Sequence, residues 1–390
     1  MVDGTIPRYV GVSFVGCSIK NKTRLASKNS STMYCRPFRQ KSQTMLLPLS
    51  TRLSKSSLHC NTTSLTRLPF SSIDIATKYP NNTTQSRRST HTFAITRQIP
   101  NSFRDALSAH HDASSQNDPI SLTKCRNQHS RYQSVLQSLL PQPLLSLPPL
   151  EDHPDCPFVE DVVVVADGVA CITNPGHASR RGREVDTVKT ALLNDDRLEG
   201  HFVEGETLFD MRRDGDDPMA TADGGDVLYT GRHFFVGLSD RTNERGWEVL
   251  RSVFGSRLRR EDVDDDDDDE VVVAVPPVIR GKSVLHLKSA VTHLDPHTLL
   301  APEGPIGDEV LTAMKAEERG YVAIRLKDVL TCNAVVVNGH VMVQDSGCEV
   351  SKERIVGACV ERGLGWTFVD TGELAKKDAA LTCCSVLLEC

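Results

Sequence analysis

One structural pattern recurs along the chain from about residue 91 onward, and it limits the folds that the sequence can adopt. In the clearest copy, a Val-rich strand at 161–166 is followed by a turn at Asp167-Gly168, a strand at 169–173 and a helix at 184–194. Similar copies lie at 226–254, 284–318 and 334–362. A unit of two strands and one helix cannot bury its own apolar face, so the units must pack against one another.

The two ends of this region supply the parts of one more unit, with a strand at 93–99 and a final strand at 380–388. Roughly five units that use both ends of the region indicate a closed ring. We therefore predict an α/β fold, a cyclic array of roughly five strand-strand-helix modules closed by the two ends. In such a ring, polar residues at the strand ends converge on the central axis.

The charge divides the chain into two parts. Up to Arg97 there are 15 Lys and Arg against two acids, Asp3 and Asp74, whereas the rest carries 30 Lys and Arg against 49 acids. The basic part is rich in Ser, Thr and Asn and has no sustained hydrophobic period. We predict a disordered or targeting extension at 1–90 and one catalytic domain at 91–390.

The remaining composition bears on compartment and partners. The 12 cysteines show no paired CxxC spacing, which favours a reducing compartment over a disulfide scaffold. No apolar stretch approaches the ~20 residues that span a bilayer. We therefore predict no membrane association. The domain also lacks a basic nucleic-acid patch, a phosphate loop and a metal-ligand cluster, so we predict no nucleic-acid partner, no metal and no cofactor. The expected location is cytoplasmic, with import into mitochondria or another organelle as the alternative.

Two adjacent cysteines, Cys383 and Cys384, lie in the apolar run LTCCSV near the end of the chain. Read as an interior strand, this run turns one thiol towards a pocket and the other into the core. Two interpretations stay open for the pair alone, a buried structural role and a nucleophile.

Other ionisable residues lie at or within segments that should be buried. The carboxylates are Asp155, Glu160, Asp161 and Asp223, and His286 falls within the predicted strand VLHL. Buried ionisable groups are costly unless they are paired or functional. A thiol with a histidine suits covalent transfer chemistry. Several carboxylates beside a thiol favour a cationic substrate, and a guanidinium matches carboxylates in bidentate fashion.

The residues carry a clear resemblance to the dimethylarginine dimethylaminohydrolase family of guanidine-modifying enzymes. The matching blocks, in the family's order, are DCPFVEDV at 155–162, ITNPGHASRR at 172–181, DGGDVL at 223–228, FFVGLS at 234–239, RTN at 241–243, LHLKS at 285–289 and LTCCSV at 381–386. The resemblance implies the pentein propeller and hydrolysis of Nω-methylated arginine to citrulline and an amine.

The resemblance also implies roles for individual residues. Cys383 would be the nucleophile and His286 the general acid and base, with Asp223 supporting the histidine and Asp161 gripping the guanidinium. The implied substrate contacts are Leu107, Asp155, Glu160, Asp161, Arg180, Arg241 and Lys377. In a strand, Glu160 and Asp161 would point to opposite faces, and we expect Asp161 to face the pocket.

Two other functions stay open. An arginine deiminase-like amidinohydrolase shares the chemistry, and a non-catalytic regulatory pentein would keep only the fold. Without the resemblance, Arg180 and Arg241 would be read as surface charges. We expect a small-molecule guanidine as the partner, and a monomer or weak homo-oligomer.

Overall fold

The structure is a computed structural model that describes residues 90–108, 119–213, 219–255, 257, 271–276 and 284–389. The predicted extension, apart from Thr90, and the acidic run at 261–270 lie outside the described residues. The strands are β1 (Phe93–Arg97), β2 (Leu145–Leu147), β3 (Val163–Ala166), β4 (Val169–Ile172), β5 (Leu208–Asp210), β6 (Val227–Tyr229), β7 (Phe234–Gly237), β8 (Val272–Val275), β9 (Thr292–Asp295), β10 (Thr298–Pro302), β11 (Val322–Leu326), β12 (Ala334–Val337), β13 (His340–Gln344), β14 (Gly365–Val369) and β15 (Val386–Leu388).

The described strands form five three-stranded sheets of one design. In each sheet an antiparallel pair is extended by a third strand that runs parallel to the central one, as in β3-β4-β5 and β12-β13-β14. The fifth sheet joins β15, near the end of the described residues, to β1, near their beginning, and β2 pairs with β1 in parallel. The predicted propeller of five modules, completed by both ends of the domain, is confirmed.

Helices connect the second and third strands within each module, and two single-turn helices lie between modules. They are α1 (Leu122–Leu139), α2 (Arg183–Asn194), α3 (Glu244–Phe254), α4 (Leu287–Ala290), α5 (Pro305–Ala313), α6 (Glu349–Arg362) and α7 (Gly372–Ala375). Local sequence explains their starts. The side chain of Ser121 accepts from the Lys124 N–H at the start of α1, and that of Asn243 accepts from the Gly246 N–H at the start of α3.

Helix α2 shows how the helices cover the sheets. Val185, Val188 and Leu192 recur at helical spacing, and all three are fully buried. They belong to one hydrophobic cluster with Ala170 and Ile172 of β4. Burying side chains of this size stabilises the fold by roughly 1.5–3 kcal/mol each.

A single helical turn precedes the first strand of each antiparallel pair. These five inner turns are Val159–Val162, Gly224–Asp226, Leu287–Ala290 (α4), Leu330–Cys332 and Thr382–Cys384. The first turn contacts the second and the last, and α4 contacts the second and the fourth. Asn333, which follows the fourth turn, accepts from the Thr382 N–H at 3.0 Å. The inner turns therefore form a closed ring.

The structure corrects the predicted local conformations around the site. Cys383 lies in an inner turn rather than in a strand, and His286 lies immediately before α4 rather than in a strand. Asp161, predicted to begin a strand, belongs to the inner turn Val159–Val162. The reason is the same in each case, because hydrogen bonds within a turn replace the pairing that a strand would need.

No helix among the described residues is long and apolar enough to cross a membrane.

Candidate active site

The ring of inner turns surrounds a cavity of ≈340 Å³, part of which is open to solvent. Nine of the ten predicted site residues line it: Leu107, Asp155, Asp161, Arg180, Asp223, Arg241, His286, Lys377 and Cys383. Phe158, Leu285, Asp378 and Ala379 complete the lining, and they were not predicted from the sequence. The tenth predicted residue, Glu160, lies outside the lining.

The last inner turn separates the two adjacent cysteines. Cys383 lines the cavity, and its N–H donates to the Ala380 carbonyl at 3.2 Å. Cys384 is fully buried, and its thiol lies 3.6 Å from the same carbonyl oxygen. The prediction that only one thiol faces the pocket therefore agrees with the structure, although a turn rather than a strand divides the pair.

His286 is held between two carboxylates. Its Nε2 lies 3.1 Å from Asp223 Oδ2, and its Nδ1 lies 3.9 Å from Asp161 Oδ1. Burial lowers the pKa of His286, but the charges of Asp161 and Asp226 and the hydrogen bond to Asp223 outweigh burial and raise it to about 9. The imidazole is therefore protonated at neutral pH and can donate a proton.

The Asp223–Asp226 segment fixes this arrangement. The Asp223 carboxylate accepts from the Gly176 N–H at 2.8 Å, and the Gly225 N–H donates to Asp161 Oδ1 at 3.0 Å. Asp226 accepts from the Leu287 N–H at 3.0 Å, directly beside His286. Burial raises the pKa of Asp226 to about 6, although its hydrogen bonds to Ser239 and Thr242 oppose that change.

Arg180 is 3% exposed, so its alternative interpretation as a surface charge is wrong. Its guanidinium pairs with Asp161 and with Glu184, and it also donates to the carbonyl of Phe158 at 3.0 Å. Although burial favours the neutral carboxyl of Asp161, the charges of His286 and Arg180 outweigh it and lower the pKa of Asp161. Asp161 therefore stays ionised.

Sequence reasoning missed Glu184 as a partner of Arg180. Glu184 stands four residues later, in the first turn of α2, where the two side chains meet. Burial raises the pKa of Glu184 to about 7, although Arg180 opposes that change. The spacing of four between an arginine and a glutamate was the available clue.

Asp155, Leu107 and Lys377 form one edge of the cavity. The Leu107 N–H donates to Asp155 at 3.0 Å, and Lys377 Nζ donates to the Ala106 carbonyl at 2.8 Å. Arg241 lines the cavity, and among the described residues its guanidinium has no recorded hydrogen-bond partner. It is therefore available to an anionic group of a ligand.

The environment of Cys383 favours the neutral thiol in the empty site. Burial raises its pKa, and the charges of Asp161 and Glu160 raise it further. A cation placed between the thiol and the carboxylates would oppose both effects.

Three ligand-type atoms, one each from Asp161, Asp223 and His286, lie within 4.8 Å of one another. Arg180 already occupies Asp161 with a positive charge, and His286 is itself cationic at neutral pH. A divalent cation would have to displace both charges. The charges of this cluster therefore disfavour metal ligation.

The domain is similar to known proteins in sequence. The N(G),N(G)-dimethylarginine dimethylaminohydrolase of Streptomyces coelicolor is 32% identical over 247 residues, which are 63% of this chain and 78% of that protein. The protein of the same name from Pseudomonas aeruginosa is 27% identical over 263 residues, which are 67% of this chain and 88% of that protein. No family model matches the chain.

The fold is similar to solved structures. A cysteine-to-serine mutant of the Pseudomonas aeruginosa protein, complexed with citrulline, has a TM-score of 0.58 at 24% identity and covers 77% of this chain and 100% of its own. The N-terminal domain of ArgZ, a cyanobacterial arginine dihydrolase bound to product, has a TM-score of 0.54 at 15% identity, covering 76% of this chain and 97% of its own. At these identities the likeness concerns the fold, and it agrees with the predicted pentein propeller.

Proposed function

The chain belongs to the dimethylarginine dimethylaminohydrolase family, and from that premise we propose that it hydrolyses Nω-methylated arginines to citrulline and methylamine or dimethylamine. The observation that carries the proposal is the convergence of Cys383, the protonated His286 and the ionised Asp161 around one cavity. Carboxylates match a guanidinium, and the thiol and imidazole match its cleavage.

The chemistry proceeds in two halves. Cys383 Sγ attacks the guanidinium carbon, and the methylated nitrogen leaves as an amine after taking a proton from His286. The product of this half is a thiouronium-type adduct on Cys383. Neutral His286 then takes a proton from a water molecule, whose oxygen attacks the same carbon, and the carbon–sulfur bond breaks to release citrulline.

Binding of the substrate itself promotes ionisation of the Cys383 thiol. In the empty site the pKa of Cys383 is raised, so the thiol predominates at neutral pH. A bound guanidinium brings a positive charge next to the sulfur and stabilises the thiolate. The thiol proton leaves to solvent, and His286 keeps the proton that the leaving amine needs.

Other residues that line the cavity match the α-carboxylate and the α-amino group of the substrate. The open guanidinium of Arg241 suits the α-carboxylate, and Arg180 stands on the same cavity. The Asp155 carboxylate, already bonded to the Leu107 N–H, suits the α-amino group. Lys377 lies beside them and contributes a backbone contact.

The decisive experiment measures citrulline release by the full chain from asymmetric dimethylarginine, monomethylarginine and arginine in parallel. The controls are Cys383→Ser and Cys384→Ser, because Cys384 has the same chemistry but is buried away from the cavity. We expect turnover of both methylated substrates, its loss in Cys383→Ser and its retention in Cys384→Ser.

Each alternative has its own outcome. Turnover of arginine alone would identify a deiminase. Absence of turnover on all three substrates by a folded sample would favour the regulatory pentein.

A further inference from the structure

The predicted substrate contact Glu160 has a different neighbour from the other carboxylates of the site. It lies in the same inner turn as Asp161 but outside the cavity lining, and its side chain is 12% exposed. Glu160 Oε1 accepts from Lys288 Nζ, whereas Oε2 is buried without a recorded partner among the described residues. Its charge therefore depends on Lys288.

Lys288 stands two residues after His286, in the short helix α4. Its side chain is 14% exposed and crosses from α4 to the inner turn that carries Glu160. Its carbonyl accepts from Asn333 Nδ2 at 2.9 Å, and the same amide group donates to Thr382 Oγ1 at 3.1 Å. One lysine thus connects the segments of His286, Asp161 and Cys383.

Three carboxylates near the nucleophile each have a cation. Arg180 pairs with Asp161, and His286 bonds to Asp223. Lys288 is the corresponding cation for Glu160, whose negative charge is among the causes that raise the pKa of Cys383. Burial raises the pKa of Glu160, and the charge of Lys288 opposes that change. Wherever Glu160 is ionised, removing the lysine leaves its negative charge uncompensated beside the sulfur.

We propose that Lys288 is a positioning residue that neutralises Glu160 beside Cys383 and thereby sets how readily the nucleophile ionises. This inference deepens the proposed function, on which it rests for the need of a thiolate. The role is electrostatic, so an arginine in place of Lys288 retains it and a neutral side chain of similar length does not.

The other titratable groups around the thiol stay constant in the test. Those whose charges act on it are Asp161, Cys384 and Tyr132. His286 and Arg180 line the same cavity. Asp155, Asp223, Arg241, Lys377 and Asp378 line the same cavity. The substitutions below leave all of these side chains in place, so a difference between variants reports the Glu160–Lys288 pair.

The test measures the rate at which iodoacetamide alkylates Cys383 in the full chain between about pH 6 and 9, below the raised pKa of the thiol, where the rate follows the thiolate fraction. Mass spectrometry of the Cys383 peptide gives the site-specific rate, and Cys383→Ser confirms the assignment. The variants are Lys288→Met, Lys288→Arg, Glu160→Gln and the double variant Glu160→Gln/Lys288→Met. Lys327→Met removes a lysine from a half-exposed pair with Glu303 and serves as the matched control.

We expect Lys288→Met to raise the apparent thiol pKa by about one unit, which is about tenfold less thiolate at a given pH. Glu160→Gln should lower the apparent pKa, because it leaves the lysine unpaired, and the double variant should return to the wild-type value. Lys288→Arg and Lys327→Met should stay at that value.

An unchanged thiol pKa in Lys288→Met would overturn the proposal. A rise that persists in the double variant would also overturn it, since the lysine would then act through packing rather than through Glu160. If Lys288→Met does not fold, Glu160→Gln decides alone, and an unchanged pKa there refutes the idea. The assay uses no guanidine substrate, so a wild-type chain that turns over none would contradict the proposed function without affecting this result.

Discussion

Gly225 offers a direct test of how closely the catalytic groups must be held. It lies in the inner turn between the two aspartates, and its backbone φ is not in the left-handed region, so an alanine meets no backbone penalty. A Cβ added there would lie 2.6 Å from His286 Nδ1 and 2.8 Å from Asp161 Oδ1. The substitution Gly225→Ala therefore places a methyl group between His286, the proposed general acid, and Asp161, the carboxylate proposed to bind the guanidinium.

The required movement sets the size of the effect. To reach an ordinary contact of 3.4 Å, the imidazole must retreat by about 0.8 Å. Misplacement of catalytic groups by about 1 Å costs ~10²-fold in rate. We expect kcat to fall about 100-fold, equivalent to ~2.7 kcal/mol in the activation barrier. Overpacking also destabilises the fold, by ~1–3 kcal/mol.

The assay is steady-state citrulline release from asymmetric dimethylarginine, with thermal unfolding measured in parallel. Gly357→Ala is the matched control, because the added Cβ meets nothing within 4 Å and the residue lies within helix α6. It should leave the rate unchanged and stabilise the chain by up to ~1 kcal/mol. A folded Gly225→Ala variant with a rate within threefold of the wild type would refute the reasoning.

Three more predictions concern the charges of the site. Asp223→Asn removes a charge and a hydrogen bond that help to raise the pKa of His286 to about 9. The alkaline limb of the kcat–pH profile should therefore move to lower pH by about one unit. A limb that does not move contradicts this prediction. Protonation of His286 stabilises the folded state by about 3 kcal/mol below pH 6.5, because the pKa of His286 is higher in the folded than in the unfolded chain. This contribution is lost as the pH rises to about 9. His286→Gln should abolish that slope in urea unfolding across this range. Glu184→Gln weakens the hold on Arg180 and should raise KM about tenfold with a smaller change in kcat, as steady-state kinetics will show.

The sequence predicted the hairpins better than the remainder of each module. Asp167-Gly168 and Asn338-Gly339 have positive φ at both residues, which is the conformation that tight hairpins need. The third strands were missed because they are short or lie at a sheet edge without a turn motif, as β5 and β14 do. Helix α1 was missed because its buried face includes Gln128 and His129.

The residues of the cavity were identified more accurately than their conformations. Ionisable side chains in apolar runs are visible in the sequence, and Cys383, His286 and Asp161 were found in that way. Whether such a run forms a strand or a turn depends on contacts with other inner turns, which are distant in the chain. Gly225 and Lys288 were not predicted as site residues for the same reason. Each contacts the site through a residue more than 60 positions away in the chain, Asp161 for Gly225 and Glu160 for Lys288.

The repeated architecture explains why distant residues form one site. Each module places one inner turn on the ring, and four of the five turns carry or adjoin an ionisable residue that lines the cavity. The remaining turn, Leu330–Cys332, is followed by Asn333, which bonds to the Lys288 carbonyl and to Thr382 and so connects its two neighbours. Because every turn is held by the next, a change in one displaces catalytic groups on another. Paired substitutions on adjacent turns should therefore cost less than the sum of the single ones.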